Sequence, residues 1–331
     1  MGKGGDGGAA EPAEQTEPMG ADGDQLLEYI RASECGRDLS LNTPFGVRPT
    51  LYADYTASGR ALSFIEDYIR NAVLPTYGNT HTSTTRTGRQ SSDFVAEART
   101  MVKNYLRCGK NDRLLFHGAG ATAGANRLVA MLGLTVATPA ARTAALARPE
   151  SERPVIFVGP YEHHSNLLPW RDSTADVVVI GEAARGGLDL AQLEAELVAA
   201  SSRPLRVGAF SAASNVTGLL ADVDEITALL HTHGALAIWD YASAAPYGYC
   251  LSMNPPHEDN ARAALIAKDA IFFSPHKFVG GPQAVGILVY KKARAAAPRP
   301  PAHTRTRRRQ PCNPHQRPRP RLRPRPLPAA R

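Results

Sequence analysis

Lys277 closes the segment Ser274-Pro275-His276-Lys277, which follows the apolar run Ala270-Ile271-Phe272-Phe273 and opens onto Phe278-Val279-Gly280-Gly281. A lysine delivered from a buried strand into a tight loop loses hydration, and a desolvated amine titrates low enough to act as a nucleophile. The hydroxyl of Ser274, the imidazole of His276 and two glycines stand beside it. Such a set suits an aldehyde cofactor with an anionic tail. A surface lysine ending a strand is the bland alternative, so the segment gains meaning only in company.

Four further segments provide that company. Gly118-Ala119-Gly120-Ala121-Thr122-Ala123-Gly124-Ala125-Asn126 follows a candidate strand at 114–116 and leads into an apolar helix at 128–132. Small residues let a backbone approach an anion, and a helix N-terminus presents free N–H groups to it. Glu162-His163-His164-Ser165-Asn166 follows a candidate strand at 155–158. Adjacent histidines seldom converge on one metal and no nearby Cys/His pair completes a set, so no metal site is expected. An imidazole stacked on a heteroaromatic ring fits the position, as does a solvated polar turn. Asp240 ends the run 235–239, in Trp239-Asp240-Tyr241-Ala242-Ser243. A carboxylate framed by apolar neighbours needs a cation or hydrogen bonds; a protonated pyridine nitrogen supplies both, and capping a turn is the competing use. Asn215, in Ser214-Asn215-Val216-Thr217-Gly218, lies just past 206–210 and can donate to a phenolate or carboxylate, or close an Asx turn.

The elements that must position these residues follow from periodicity. Aliphatic runs at 114–116, 155–158, 177–180, 206–210, 235–239, 270–273 and 286–290 alternate with helical patterns such as 188–199 and 223–233, the latter stopped by Gly234. This alternation predicts an α/β fold with a largely parallel sheet covered on both faces. Ligands of such sheets sit on loops at the carboxyl ends of strands, where every segment above falls. A short helix is expected near 24–30, and residues 1–22, rich in Gly, Ala, Glu and Pro, read as a disordered N-terminus. The expected division is 1–22, an N-terminal segment 23–50, a ligand-binding domain 51–292 and a Pro/Arg-rich disordered tail 293–331.

Of the net charge of +7, +14 falls within 291–331, leaving −7 for the rest of the 331 residues. The folded part therefore has no nucleic-acid signature, and only the basic tail could serve as an electrostatic arm. Cys35, Cys108, Cys250 and Cys312 are scattered without a disulfide framework, and no apolar run reaches membrane-spanning length. A cytoplasmic protein without a membrane partner is expected.

The succession Gly120 to Asn126, Glu162-His163-His164, Ser214-Asn215, Trp239-Asp240 and Ser274-Pro275-His276-Lys277 resembles the class V aminotransferase and cysteine desulfurase (selenocysteine lyase-like) family over about 50–292. The resemblance implies the large domain of the aspartate aminotransferase (type I) fold and the cofactor pyridoxal 5′-phosphate. It implies that Lys277 forms the internal aldimine and moves protons, that His163 stacks on the ring, and that Asp240 pairs with the ring nitrogen. Ala121 and Thr122, with Ser274 and His276, would hold the phosphate. Asn215 would lie near the phenolic oxygen and the substrate carboxylate. Ser243 stands where desulfurases carry a glutamine to that oxygen. Tyr52-Ala53-Asp54-Tyr55-Thr56-Ala57 looks like the family's N-terminal strand, and Asn79-Thr80-His81-Thr82 like a loop that faces the active site, often across a dimer interface.

The resemblance implies a homodimer acting on a small amino acid as a transferase or lyase. The family continues with a small α/β domain that carries a substrate-binding arginine and, in desulfurases, a loop cysteine. Residues 294–331 cannot replace it, and neither Cys250 nor Cys312 suits the nucleophile role. The expectation is thus a large domain whose small partner is truncated or frame-shifted away, with impaired activity. The alternative is a non-catalytic remnant that binds partners or nucleic acid through its tail.

Overall fold

The computed structural model describes residues 21–292. The expected disordered N-terminus up to residue 20 and the Pro/Arg-rich tail from residue 293 lie outside the described residues. The first helix, α1 (Ala21–Ala32), covers the predicted 24–30. A hairpin of β1 (Ser40–Thr43) and β2 (Gly46–Pro49) follows. No strand was expected there, because its side chains are almost all exposed and no period separates a buried face. Two helices, α2 (Ser63–Tyr68) and α3 (Arg86–Tyr105), lead to the main sheet.

That sheet is built from β3 (Asp112–Phe116), β4 (Val155–Val158), β5 (Asp176–Val179), β6 (Arg206–Ser211), β7 (Leu236–Asp240), β8 (Ala270–Phe273) and β9 (Ile287–Lys291). Each predicted apolar run became one of these strands. Their order is β3-β9-β8-β7-β6-β4-β5. Four neighbouring pairs are parallel, and only β9 runs against its neighbours β3 and β8. The carboxyl ends of β3, β4, β6, β7 and β8 therefore share one edge.

The connections are α4 (Gly120–Met131), α5 (Pro139–Leu146), α6 (His164–Arg171), α7 (Leu190–Ala199), α8 (Val223–Thr232) and α9 (Asn260–Ile266). Side chains alternate across each strand, so both faces need cover. Phe157, Phe210, Trp239, Ile271 and Phe273 pack with Leu193, Leu197 and Leu230 on one face. Ile156, Val158, Ile238, Phe272 and Leu288 pack with Leu128 and Trp170 on the other. Asp222 caps α8 through Glu225 N, and Gly234 takes φ +68° just past its end, as a helix stop requires.

One helix starts earlier than predicted. The Gly/Ala segment forms the first two turns of α4, instead of a loop before 128. Alanine is the strongest helix former, and the turn is made by Gly118 and Gly120 at φ +55° and +58°. The N-terminal strand expected at 52–57 is absent: the segment is irregular, with a turn closed by Ala57 N and Ser58 N donating to Asp54 O. The Tyr52 hydroxyl donates to Asp54 O and Ser58 O, stabilising that bend where no strand edge is offered.

Candidate active site

A cavity of about 550 Å³ opens at the carboxyl edge of the sheet. Ala121, Thr122, His163, Asn215, Asp240, Ser243, Ser274, His276 and Lys277 all line it. The nine residues come from five separate strand ends, so the strand-end rule brought them together. Asn79–Thr82, by contrast, does not line the cavity of its own chain, and Asn79, Thr80, His81 and Thr82 are exposed.

Lys277 ends a single 3-10 turn, Pro275–Lys277, directly after β8. The loop is pinned twice. Gly59 N donates to His276 O at 2.9 Å, and Ser274 Oγ accepts from Ala121 N at 2.8 Å. Burial lowers the pKa of the Lys277 amine, while the carboxylates of Asp240 and Asp54 pull it back up. The His276 imidazole is also pushed down, by burial first and by Lys277 second.

Asp240 ends β7 with 3% of its surface exposed. Oδ1 accepts from Ala242 N at 2.8 Å. Burial pushes its carboxyl up to about 7, against the Ala242 hydrogen bond; Glu162 raises it further and Lys277 lowers it. A buried carboxyl with one backbone donor has room for a cationic partner.

His163 is the N-cap of α6, its Nδ1 accepting from Ser165 N at 3.1 Å. In the neutral ring the proton then rests on Nε2. Burial, Lys277 and His164 lower its pKa, in that order, which favours a flat uncharged ring facing the cavity.

The N-cap residue of α4, Ala119, makes no side-chain capping bond. A Cβ on Gly120 would stand 2.7 Å from Ser274 Oγ and 2.9 Å from His276 Cε1, so bare backbone forms a cradle there. Ala121 N already donates to Ser274 Oγ, which leaves the serine's own proton for an anion. Thr122 Oγ1 and Ser165 Oγ lie 2.7 Å apart at the rim. Backbone N–H groups at a helix start, the hydroxyls of Ser274, Thr122 and Ser165 and a glycine cradle fit a phosphate. The Asn215 side chain does not close an Asx turn; Ser214 Oγ takes that place, accepting from Val216 N and Thr217 N at 3.2 and 3.1 Å.

Sequence reasoning gave no role to Asp54, Thr56, Ser165 or Ser211, which also line the cavity. Ser211 ends β6, so the strand-end rule that found Asp240 also reaches it. Asp54 and Thr56 sit in an irregular segment where no periodicity marks them.

No helix among the described residues is long and apolar enough to cross a membrane, and no group of three or more His, Cys, Asp or Glu there could hold a metal. Comparison with known proteins gives a consistent pattern. A probable cysteine desulfurase of Halalkalibacterium halodurans is 25% identical over 253 residues, covering 74% of this chain and 54% of that protein. The cysteine desulfurase of Dickeya dadantii is 26% identical over 260 residues, covering 77% and 55%. The chain thus spans about half the length of these curated relatives. The fold matches the apo structure of a cysteine desulfurase from Thermococcus onnurineus with a TM-score of 0.56 at 22% identity, over 73% of this chain and 54% of that one. The family described as Aminotransferase class-V matches residues 51–311, well over half of the sequence. This chain belongs to the class V aminotransferase family.

Proposed function

We propose that this chain binds pyridoxal 5′-phosphate, with Lys277 as its covalent anchor, and acts on a small amino acid. One observation carries the reading: the half-buried amine of Lys277 shares a cavity with a buried carboxyl, Asp240, and with the glycine cradle at Gly120. When bound, the cofactor supplies an aldehyde for an amine and a ring that accepts electron density from the substrate carbon.

The residues divide the work by chemistry. Lys277 holds its proton loosely, as a nucleophile and proton carrier must. Asp240 would keep a proton on the pyridine nitrogen, since a cationic partner favours the ionised form of such a buried carboxyl. His163 offers a neutral ring face. Ala121, Thr122, Ser274 and His276 would hold the phosphate. Asn215 and Ser243, which line the cavity, would bind the phenolic oxygen and the substrate carboxylate. Cysteine desulfuration, the activity in the relatives' names, stays outside the proposal, since no cysteine among the described residues lines the cavity.

The reading includes a homodimer. It is supported by the exposure of Asn79, Thr80, His81 and Thr82, a loop free to reach a partner's cavity. Free Cys35, Cys108 and Cys250 support a cytoplasmic setting.

The test is direct. Adding pyridoxal 5′-phosphate to the purified chain should give a visible absorption band, and borohydride should then fix the cofactor's mass on the Lys277 peptide. Lys277→Ala should abolish both. A wild-type protein that stays colourless and unlabelled would refute the proposal.

A further inference from the structure

Glu162 directly precedes His163, and its side chain reaches across the carboxyl ends of β4 and β6. Oε1 accepts from Ser211 N at 3.0 Å and from Gly159 N at 3.3 Å. Oε2 accepts from Asn166 Nδ2 and from Ser211 Oγ, both at 2.7 Å. The Asn166 amide cannot turn round. Trp170 Nε1, which can only donate, gives its proton to Asn166 Oδ1 at 3.0 Å, which leaves Nδ2 facing Glu162 and Ala209 O. Three of the four partners of Glu162 are obligate donors, so the ionised carboxylate satisfies them all.

Ser211 is the partner of Asp240 in the β6–β7 register. It also lines the cavity. One carboxylate thus ties three supports of the cavity together: the turn that carries His163, helix α6 through Asn166, and the strand end opposite Asp240.

We propose that Glu162 is a positioning residue that fixes the His163 ring and the Ser211 hydroxyl relative to Asp240. Its purpose rests on the pyridoxal phosphate reading; its geometry does not. The electrostatics agree. Burial raises the Glu162 carboxyl, and its bonds from Ser211, Asn166 and Gly159 pull it back. Glu162 and Lys277 act on Asp240 with opposite sign, while burial, then Lys277 and His164, lower the His163 pKa.

Glu162→Gln swaps one acceptor for an NH₂ group that meets Asn166 Nδ2 donor to donor. The experiment follows histidine ring resonances by NMR in the full chain without added cofactor. The His163 signal is assigned by its loss in His163→Asn. His231, held on a different element by Leu265 O and Asp269, reports whether the protein is folded.

The expected result is a His163 signal that broadens or splits in Glu162→Gln while that of His231 is unchanged. The dissociation constant for pyridoxal 5′-phosphate should rise about tenfold. A His163 signal that superimposes on the wild-type one overturns the inference. If Glu162→Gln does not fold, Glu162→Asp decides by the same criterion, since it keeps the charge but is one methylene too short to span both strands. A wild-type chain that binds no cofactor while His163 still responds to Glu162→Gln sinks the functional reading and leaves the positioning role standing.

Discussion

Ser274 Oγ accepts the Ala121 backbone proton at 2.8 Å, joining residues 153 positions apart. The bond fastens the loop that ends in Lys277 to the N-terminus of α4, which ties the amine to the glycine cradle. Ser274→Ala strands a buried N–H group, at a cost of about 1–3 kcal/mol. Urea denaturation should reveal that loss, and affinity for pyridoxal 5′-phosphate should fall with it. An unchanged denaturation midpoint would mean that this fastening contributes nothing.

Two glycines make a controlled comparison. Gly120 and Gly133 both have positive φ, +58° and +74°, so either alanine variant suffers backbone strain of about 1–2 kcal/mol. Only at Gly120 does the added Cβ meet Ser274 and His276; at Gly133 nothing lies within 4 Å. Both variants should melt at lower temperature, but only Gly120→Ala should lose cofactor binding in a visible-absorbance titration. Equal binding by the two would remove the cradle from the account.

The sheet could be read ahead because each of its strands is an apolar run bounded by polar turns. The nine cavity residues could be read because each lies at or just beyond the end of such a run. Asp54 and Thr56 could not. Their segment has no period, and its place beside Lys277 depends on Gly59, whose Cβ would fall 1.9 Å from Phe278 O. Close approach of that kind, between segments some 200 residues apart, leaves no local trace in the chain. Glu162 was hidden for another reason: its four bonds come from Gly159, Asn166 and Ser211, on separate elements, and nothing near Glu162 in sequence announces Ser211.

Asp240 predicts a pH dependence of stability. Burial takes its carboxyl from an ordinary value of 3.8 to about 7. Between those limits the folded chain keeps a proton that the unfolded chain has released. This group's contribution to stability is therefore full below about pH 4 and is lost as the pH rises through about 7. The loss comes to roughly 4 kcal/mol at most. Asp240→Asn cannot titrate, so the stability gap between variant and wild type should widen in the variant's favour over that range. Thermal melts at several pH values, without cofactor, measure it. A gap that stays constant with pH would show that Asp240 is already ionised in the fold.

Lys277 and Lys268 both have pKa values lowered by burial, yet only one should react. Lys268 is fully buried, and its Nζ donates to Asp224 Oδ1 at 2.6 Å, a bond that keeps the ammonium charged and shielded. Lys277 faces an open cavity, where losing the proton frees a lone pair for an incoming carbonyl. Brief reductive methylation with formaldehyde and cyanoborohydride at neutral pH, read by peptide mass mapping, should modify Lys277 ahead of the exposed Lys110 and spare Lys268. Lys277→Ala should delete that product and leave the rest of the pattern intact. Labelling of Lys277 no faster than of Lys110 would mean that burial has not released its proton, and the nucleophile would have to be sought elsewhere.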